Sequence, residues 1–327
     1  MKVLITGASG FVGSHILDRL RELRVPCALV LRPGSSRHWI ARHLPEVDVH
    51  TCGLDKVPDL VEALADVTHV IHCAGSTNAR SEKEFLQSNQ ATTARLVEAV
   101  NRHQDRIRRF IHISSLAATG PSRGGIPVLE DGIPHPVSHY GQSKLAGEQE
   151  VIQQCKTDFV IFRPAAVYGP RDQEFLRLFQ AVRKHIRPVF GGGRQLLSVV
   201  YVADLVAVIE ASLEKPEASR CIVHVAHPQA ITAGGLAKEF ARAANTWTIP
   251  LALPTCALWP VCLLQEIAGR FTAKPGVLNR QKYAELSAEG WVCSTDKLKL
   301  GLGLSCSTPL KAGLAETVRW YEEQGWL

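Results

Sequence analysis

Nine cysteines occur in the 327 residues, yet none forms a CxxC pair or shows zinc-ligand spacing. Neither a redox dithiol nor a metal centre is therefore expected. Cys27, Cys73, Cys155 and Cys221 fall in apolar segments and read as buried thiols of a reducing cytoplasm. Charge is sparse as well, with 21% charged residues and a net +6 spread along the chain. The densest cluster, Arg102 to Arg109, lies between a predicted helix end and a strand, where the macrodipole favours cations over a nucleic-acid surface. No internal repeat and no low-complexity segment is present, and a first strand beginning at Lys2 leaves no room for a signal peptide. The most apolar stretch, Ile249 to Ile267, is interrupted by Pro250, Pro254 and Pro260, which argues against a spanning helix. The remaining composition, 46% hydrophobic, is that of a globular enzyme with a cytoplasmic setting.

What is present begins at the first residue. Met1 to Ser14 reads MKVLITGASGFVGS. Lys2 to Thr6 predicts a buried parallel strand, and Phe11 to Arg24 carries apolar residues at helical spacing. Between them, Gly7 allows a tight turn, Gly10 lets a pyrophosphate approach the backbone, and Gly13 lets the helix pack close to the strand. Such a helix start aims unpaired N–H groups and partial positive charge at phosphates.

Further predicted strands are Pro26 to Leu31, Val47 to Cys52, His69 to Cys73, Arg109 to Ser115, Asp158 to Phe162 and Cys221 to Ala226. Helices are predicted at Val57 to Leu64, Ser81 to His103, Tyr140 to Cys155, Ala233 to Ala244 and Thr308 to Gln324. This alternation indicates an α/β fold with a doubly wound parallel sheet. Dinucleotide folds place an acid at the end of the second strand to hold the ribose 2′-hydroxyl. Here Arg32 stands there, with Ser35, Ser36 and Arg37 behind it. A cation with hydroxyls suits a 2′-phosphate and favours NADP over NAD; Arg32 stacking on adenine or facing water is the alternative. The Gly- and Pro-rich stretch Gly120 to Pro136 is too long for a mere connector and is a candidate active-site rim.

Tyr140 and Lys144 lie four residues apart, on one helix face. An ammonium near a phenol favours the phenolate and lowers its pKa, which suits a proton carrier. Ser114 and Ser115 end the preceding strand at the same sheet edge and can hold a substrate oxygen.

Taken in order, TGASGFVG, HCAG, ISSLAATG, YGQSK and RPAAVYGP resemble the extended short-chain dehydrogenase/reductase family, the NAD(P)-dependent epimerase/dehydratase group. The resemblance covers essentially the whole chain. It implies a Rossmann domain over residues 1–170, with 195–215 and part of 221–230 returning to it. A smaller substrate domain is implied over 171–194 and 231–327. It also implies a catalytic set of Ser115, Tyr140 and Lys144 braced by Asn89, with the lysine also on the nicotinamide ribose. Ser115 is preferred to Ser114 because the family serine lies five residues before the glycine matched by Gly120. Cofactor contacts are implied at Gly7, Ser9, Gly10, Phe11, Val12 and Gly13, then at Arg32, Ser35, Arg37 and Leu54. Further ones fall at Cys73, Ala74, Gly75 and Ile113, and, beside the nicotinamide, at Pro164, Ala165 and Val167. Substrate contacts are implied at Ser76, Ser115, Ala117, Thr119, Ala166 and Arg194. A homodimer through helices 81–103 and 140–155 follows by analogy with relatives.

There are departures. Many relatives have Gly-Asp-Leu after the third strand, where this chain has Cys52-Gly53-Leu54, and Thr119 stands where many sugar-modifying members have tyrosine. Nucleotide-sugar members present arginines to the diphosphate from two neighbourhoods. Here these read Leu196-Leu197-Ser198-Val199-Val200 and Gly290-Trp291-Val292-Cys293-Ser294, with Arg194 the only cation near either. Apolar walls match an anionic diphosphate poorly. The Ile249–Ile267 run reads as core packing of the small domain, as a lining for an apolar substrate, or as peripheral membrane contact. It resembles the 3β-hydroxysteroid dehydrogenase-like branch more than the sugar epimerases. The expected activity is an NADP-preferring oxidoreductase that interconverts a secondary alcohol and a ketone on a bulky apolar molecule such as a sterol. The alternatives are a nucleotide-sugar epimerase or dehydratase with tightly held NAD, and a non-catalytic NADP sensor.

Overall fold

A computed structural model describes residues 1–254, 259–260 and 280–327. Seven parallel strands form the central sheet: β1 Val3–Thr6, β2 Cys27–Val30, β3 Asp48–His50, β4 His69–His72, β5 Arg109–Ile113, β6 Phe159–Pro164 and, after four strands outside it, β11 Cys221–Val225. Their spatial order is β11-β6-β5-β4-β1-β2-β3. The order reverses between β1 and β4, and ligands of open α/β sheets bind beyond the carboxyl ends of strands at such a point.

Alternation along each strand divides the core in two. Val3, Ile5, Ile71, Ile111, Val160 and Phe162 face α1 (Phe11–Glu22) and α8 (Val202–Ala211), while Leu4, Val70, Phe110 and Ile161 face the other layer. That layer is α2 (Val57–Ala63), α4 (Thr92–Asn101) and α6 (His139–Gln154). Strands buried on both sides need apolar residues at odd and even positions alike, which is why these read as continuous apolar runs.

The predicted single helix over 81–103 is interrupted. α3 (Glu82–Leu86) passes through a π-helical turn, Gln87–Ala91, before α4 begins. One extra residue in that turn shifts the helical register and turns Asn89 inward, fully buried. Arg109 also departs from its expected solvated setting: it is buried, donating to the Ser212 and Lys215 carbonyls and pairing with Asp158. The seven described cysteines are free; Cys27 and Cys155 are buried, whereas Cys73 and Cys221 are half-buried.

Between β6 and β11 the chain builds β7 (Ala166–Tyr168), α7 (Leu176–Arg183), β8 (Ile186–Phe190), β9 (Leu196–Leu197) and β10 (Val199–Tyr201). Beyond β11 come β12 (Ile231–Thr232), α9 (Ala233–Ala243), β13 (Ile249–Leu253), α10 (Arg280–Ser287), β14 (Gly290–Trp291) and α11 (Leu310–Glu323). β12, β9 and β14 form one small sheet, and β13 pairs in parallel with β8 in another. A nine-residue 3₁₀ stretch, His38–Glu46, follows β2 and was not expected from the sequence. Its Trp39 packs against Trp320 and Trp326 near the chain end. No helix among the described residues is long and apolar enough to cross a membrane. Of the Ile249–Ile267 run, 249–253 is a strand in which residues 249–252 are exposed rather than core; most of the remainder lies outside the described residues.

Candidate active site

The glycine turn after β1 is built by close contacts. A Cβ on Gly7 (φ +75°) would lie 2.6 Å from the Ala74 nitrogen, and one on Gly13 2.1 Å from the Gly7 carbonyl oxygen. Gly10 meets only the Gly7 oxygen, at 3.3 Å, and is exposed. Two glycines thus bind the turn to its neighbours, and the third leaves room on the open side. Gly10 is also the N-cap of α1 and supplies no side-chain cap, so N–H groups of the first turn have no intrahelical partner. A cradle that a Cβ would fill, beside an uncapped helix start, fits a dinucleotide pyrophosphate. Ser9, Phe11 and Val12 stand half-buried around it.

At the end of β2, Arg32 is exposed and opens the turn Arg32-Pro33-Gly34-Ser35, closed by the Ser35 N–H on the Arg32 carbonyl at 3.1 Å. Arg37, also exposed, donates to the Thr51 hydroxyl at 3.2 Å. Leu54 is buried beneath this corner. Past β4, Cys73 donates its N–H to the Thr6 carbonyl, and the Ala74 N–H reaches the Thr6 hydroxyl. Burial pushes the Cys73 thiol up to about 11.

The next two residues are fixed by Asn89. Its Oδ1 accepts from the Ser76 N–H at 2.8 Å, and its Nδ2 donates to the Ser76 carbonyl at 3.1 Å and the Ser143 hydroxyl at 2.8 Å. A Cβ on Gly75 would sit 2.7 Å from Asn89 Oδ1 and 3.7 Å from Lys144 Nζ. The π turn therefore ties the loop after β4 to α6. The Ser76 hydroxyl, expected at the substrate, donates to the Asn78 carbonyl.

Ser115 caps α5 (Leu116–Thr119), accepting from the Ala117 N–H at 3.1 Å, and also hydrogen-bonds the Tyr140 phenol. Ser138 caps α6 by accepting from the Gly141 N–H. This cap starts the helix that carries Tyr140 and Lys144. Lys144 is buried and donates from Nζ to the Ile113 carbonyl at 2.6 Å. Ser115, Tyr140 and Lys144 thus stand at the carboxyl ends of β4 and β5, with Asn89 behind them. The protonation states differ from the sequence expectation. Burial pushes the Tyr140 phenol up to about 12, outweighing the Ser115 hydrogen bond that lowers it, while burial brings the Lys144 ammonium down to about 8. The expected lowering of the phenol fails in the chain alone because the ammonium is turned onto a backbone carbonyl and desolvation dominates.

Beneath this set runs a buried polar network that motif reading missed. Glu148, one helical turn past Lys144, receives Arg163 Nε at 2.9 Å and Nη2 at 2.6 Å, and also accepts from the Ser114 hydroxyl. Arg163 Nη1 donates to Thr119 Oγ1 at 3.1 Å, and that oxygen lies 2.9 Å from His224 Nε2. Thr119, expected at the substrate, is instead buried with its hydroxyl spent here. The available signal was an acid on the inward face of α6, in register with Lys144. His72 and His112 are also buried, and burial holds both imidazoles well below their usual pKa.

The rim over residues 120–136 is pinned to β14 and the segment after it. The Ser122 N–H reaches the Gly290 carbonyl, and Val128 exchanges hydrogen bonds with Val292 and Ser294, each at 2.9 Å. Leu116, Ala165, Ala226 and Cys293 pack together behind it, with Val128 and Trp291 against them. Pro164 is buried, Ala117 and Val167 are half-buried, and Ala166 and Arg194 are exposed. β14 pairs with β9, Gly290 opposite Leu196 and Trp291 opposite Leu197. The stretches 196–200 and 290–294 therefore lie on adjacent strands, and neither contains a cation.

Comparison with known proteins places this geometry in context. The model of the NAD-dependent epimerase/dehydratase family matches residues 3–226. The ceramide reductase of Caulobacter vibrioides is 30% identical over 99% of this chain and 96% of its own length. The 4-hydroxy-2-methyl-3-oxo-4-farnesyl-3,4-dihydroquinoline-1-oxide ketoreductase of Stigmatella aurantiaca is 30% identical over 63% of this chain and 62% of its own. Among solved structures, MoeE5 in complex with UDP-glucuronic acid and NAD superimposes with a TM-score of 0.77 at 22% identity, covering 99% of this chain and 100% of that one.

Proposed function

The chain belongs to the NAD-dependent epimerase/dehydratase family, and from that premise we propose that it reduces a ketone on a bulky apolar, lipid-like molecule. The observation that carries the reading is the β9–β14 pairing, which sets Leu196 and Leu197 beside Gly290 and Trp291 with no cation on either strand. A nucleotide diphosphate laid against these two strands would find no charged partner on them. The names of the two reductase relatives, one acting on ceramide and one on a farnesylated quinoline, support an apolar substrate. Long-chain ketones and sterol-type ketones are the chemistries to try.

Gly7, Gly10 and Gly13 would hold the cofactor's pyrophosphate, and Lys144 its nicotinamide ribose. Arg32 and Arg37 would meet a 2′-phosphate, so that NADP is preferred. When bound, the nicotinamide supplies the hydride. The protein's part is acid catalysis: the Tyr140 phenol donates its proton to the carbonyl oxygen as negative charge develops there, and the Ser115 hydroxyl holds that oxygen. Lys144 keeps positive charge close to the phenolate that remains. The outer face on which α3, α4 and α6 lie side by side is the surface proposed for a homodimer.

The test is NADPH oxidation by the purified protein against a panel of long-chain and sterol ketones, with UDP-glucose in parallel. Turnover of an apolar ketone, lost by a factor of about 10² or more in Tyr140→Phe, is expected. Retained NAD that resists dialysis, together with turnover of UDP-glucose, would replace this reading with a recycling epimerase.

A further inference from the structure

We propose that the β8–β13 face is a docking surface for an anionic lipid bilayer. Among the described residues β13 pairs only with β8, Ile249 opposite Ile186 and Leu251 opposite Pro188, and the pair stands apart from the main sheet. Residues 249–252 are exposed along their whole length, Ile249 at 63% and Leu251 at 49%. Across the pair Ile186 is 43% exposed. Trp247, at 64%, lies against the His185 ring with centroids 4.0 Å apart and planes 8° from parallel. Scattered apolar side chains on a surface need no explanation, but a contiguous strand of them with a tryptophan at its start marks an interaction site.

Charge selects the occupant. Residues 175–203 contain five cations, Arg177, Arg183, Lys184, Arg187 and Arg194, and no carboxylate, with Arg183 paired to Glu322 of α11 at 3.4 Å. Lys184 is exposed at the end of α7, and the Arg187 Nε is buried without a hydrogen-bond partner. An apolar strip with tryptophan beside a one-signed basic segment is the pattern that settles into the interface of an anionic bilayer. Pairing with a second copy by strand addition is disfavoured, because Pro250 on the outer strand has no N–H to donate to a further strand. The proposal does not depend on the reaction assigned above, although a lipid ketone would be met at such a surface.

The experiment is co-sedimentation of the full chain with phosphatidylcholine vesicles and with vesicles of equal parts phosphatidylcholine and phosphatidylglycerol, without substrate. Binding to the mixed vesicles, weakened by added salt, is expected. Ile249→Asp and Leu251→Asp should each reduce partitioning about tenfold or more, since a carboxylate must then be carried into the interface. Lys184→Glu should reduce it about fivefold or more. All three sites are exposed, so thermal unfolding and NADPH binding should match the wild type and show that the fold is intact. The proposal is overturned if the wild type ignores both vesicles or if the variants partition as it does. It is equally overturned if light scattering shows a wild-type dimer that Ile249→Asp dissociates while vesicle binding is absent.

Discussion

Substituting Glu148 by glutamine keeps the side chain's volume and removes its charge. Glu148 and Arg163 are fully enclosed, and their contacts of 2.9, 3.2 and 2.6 Å form a forked pair. Forming such a pair adds little net stability, since both ions were desolvated to make it. Breaking one costs about 3–5 kcal/mol, because the surviving guanidinium stays buried without a counter-charge. At roughly 2 °C per kcal/mol for a chain of this size, Glu148→Gln should unfold about 6–10 °C below the wild type. Near-UV circular dichroism on heating reads this directly. The double variant Glu148→Leu, Arg163→Met removes both charges, and should return to within about 2 kcal/mol of the wild type. Thr119 keeps a partner there in His224. A single variant that melts with the wild type, or a double variant no more stable than the single, would refute the view that an uncompensated charge is the cost.

Three further outcomes follow from the site. Because burial brings Lys144 down to about 8, its ammonium is present below that pH and lost above it. kcat/KM for NADPH should therefore hold level near neutrality and fall toward tenfold per pH unit above about 8, and a flat profile to pH 10 would remove Lys144 from cofactor binding. His69, His72 and His224 are buried with imidazoles lowered to about 4, 3 and 3, so the unfolded chain binds more protons below its own pKa of about 6.5, and their contribution to stability, full above that pH, drains away as pH falls. Each costs about 1.4 kcal/mol per pH unit, while Asp172, pushed up to about 7 by burial, takes up a proton in the folded state and works in the opposite sense. These four groups together lose about 2 kcal/mol from pH 7.5 to 5.5, and His112, lowered by burial, adds to the loss, to be read as a lower urea midpoint; an unchanged midpoint would contradict it. Arg32→Glu should weaken NADPH about tenfold or more and leave NADH nearly unchanged, and equal effects on both cofactors in a fluorescence titration would mean that Arg32 does not meet the 2′-phosphate.

The parts of the site that could be read from the chain are those whose chemistry admits few residue types. Gly7 and Gly13 touch backbone atoms at distances where no Cβ fits, so their spacing is visible in any sequence that builds the turn. Strand alternation was equally plain, since both sheet faces are covered and polar residues are pushed to the strand ends. Asn89 was singled out by the family resemblance, but its π turn was not legible, because a single-residue shift of helical register leaves apolar periodicity nearly intact. The network of Glu148, Arg163, Thr119 and His224 joins residues 15 to 105 apart in sequence. Each looks like an ordinary polar residue until the sheet order is known. β13 misled for the opposite reason: its apolar residues resemble core, and only the exposure of Ile249 and Leu251 shows them to be surface.

The two perturbed groups of the catalytic set bear on direction. With Tyr140 near 12 and Lys144 near 8, both carry their protons at neutral pH. Abstracting a proton from an alcohol requires the phenolate, a form that burial makes scarce by about five pH units relative to pH 7. Donating to a carbonyl oxygen requires the phenol, the form already present. On the proposed reading the resting chain is therefore charged for reduction near neutrality, and oxidation should gain as the medium is made alkaline. The buried lysine sets a ceiling on that gain, because above about pH 8 the ammonium that would steady a phenolate is itself lost. Under the proposed function such a site favours ketone reduction through the protonation states of the protein, before the ratio of reduced to oxidised cofactor is considered.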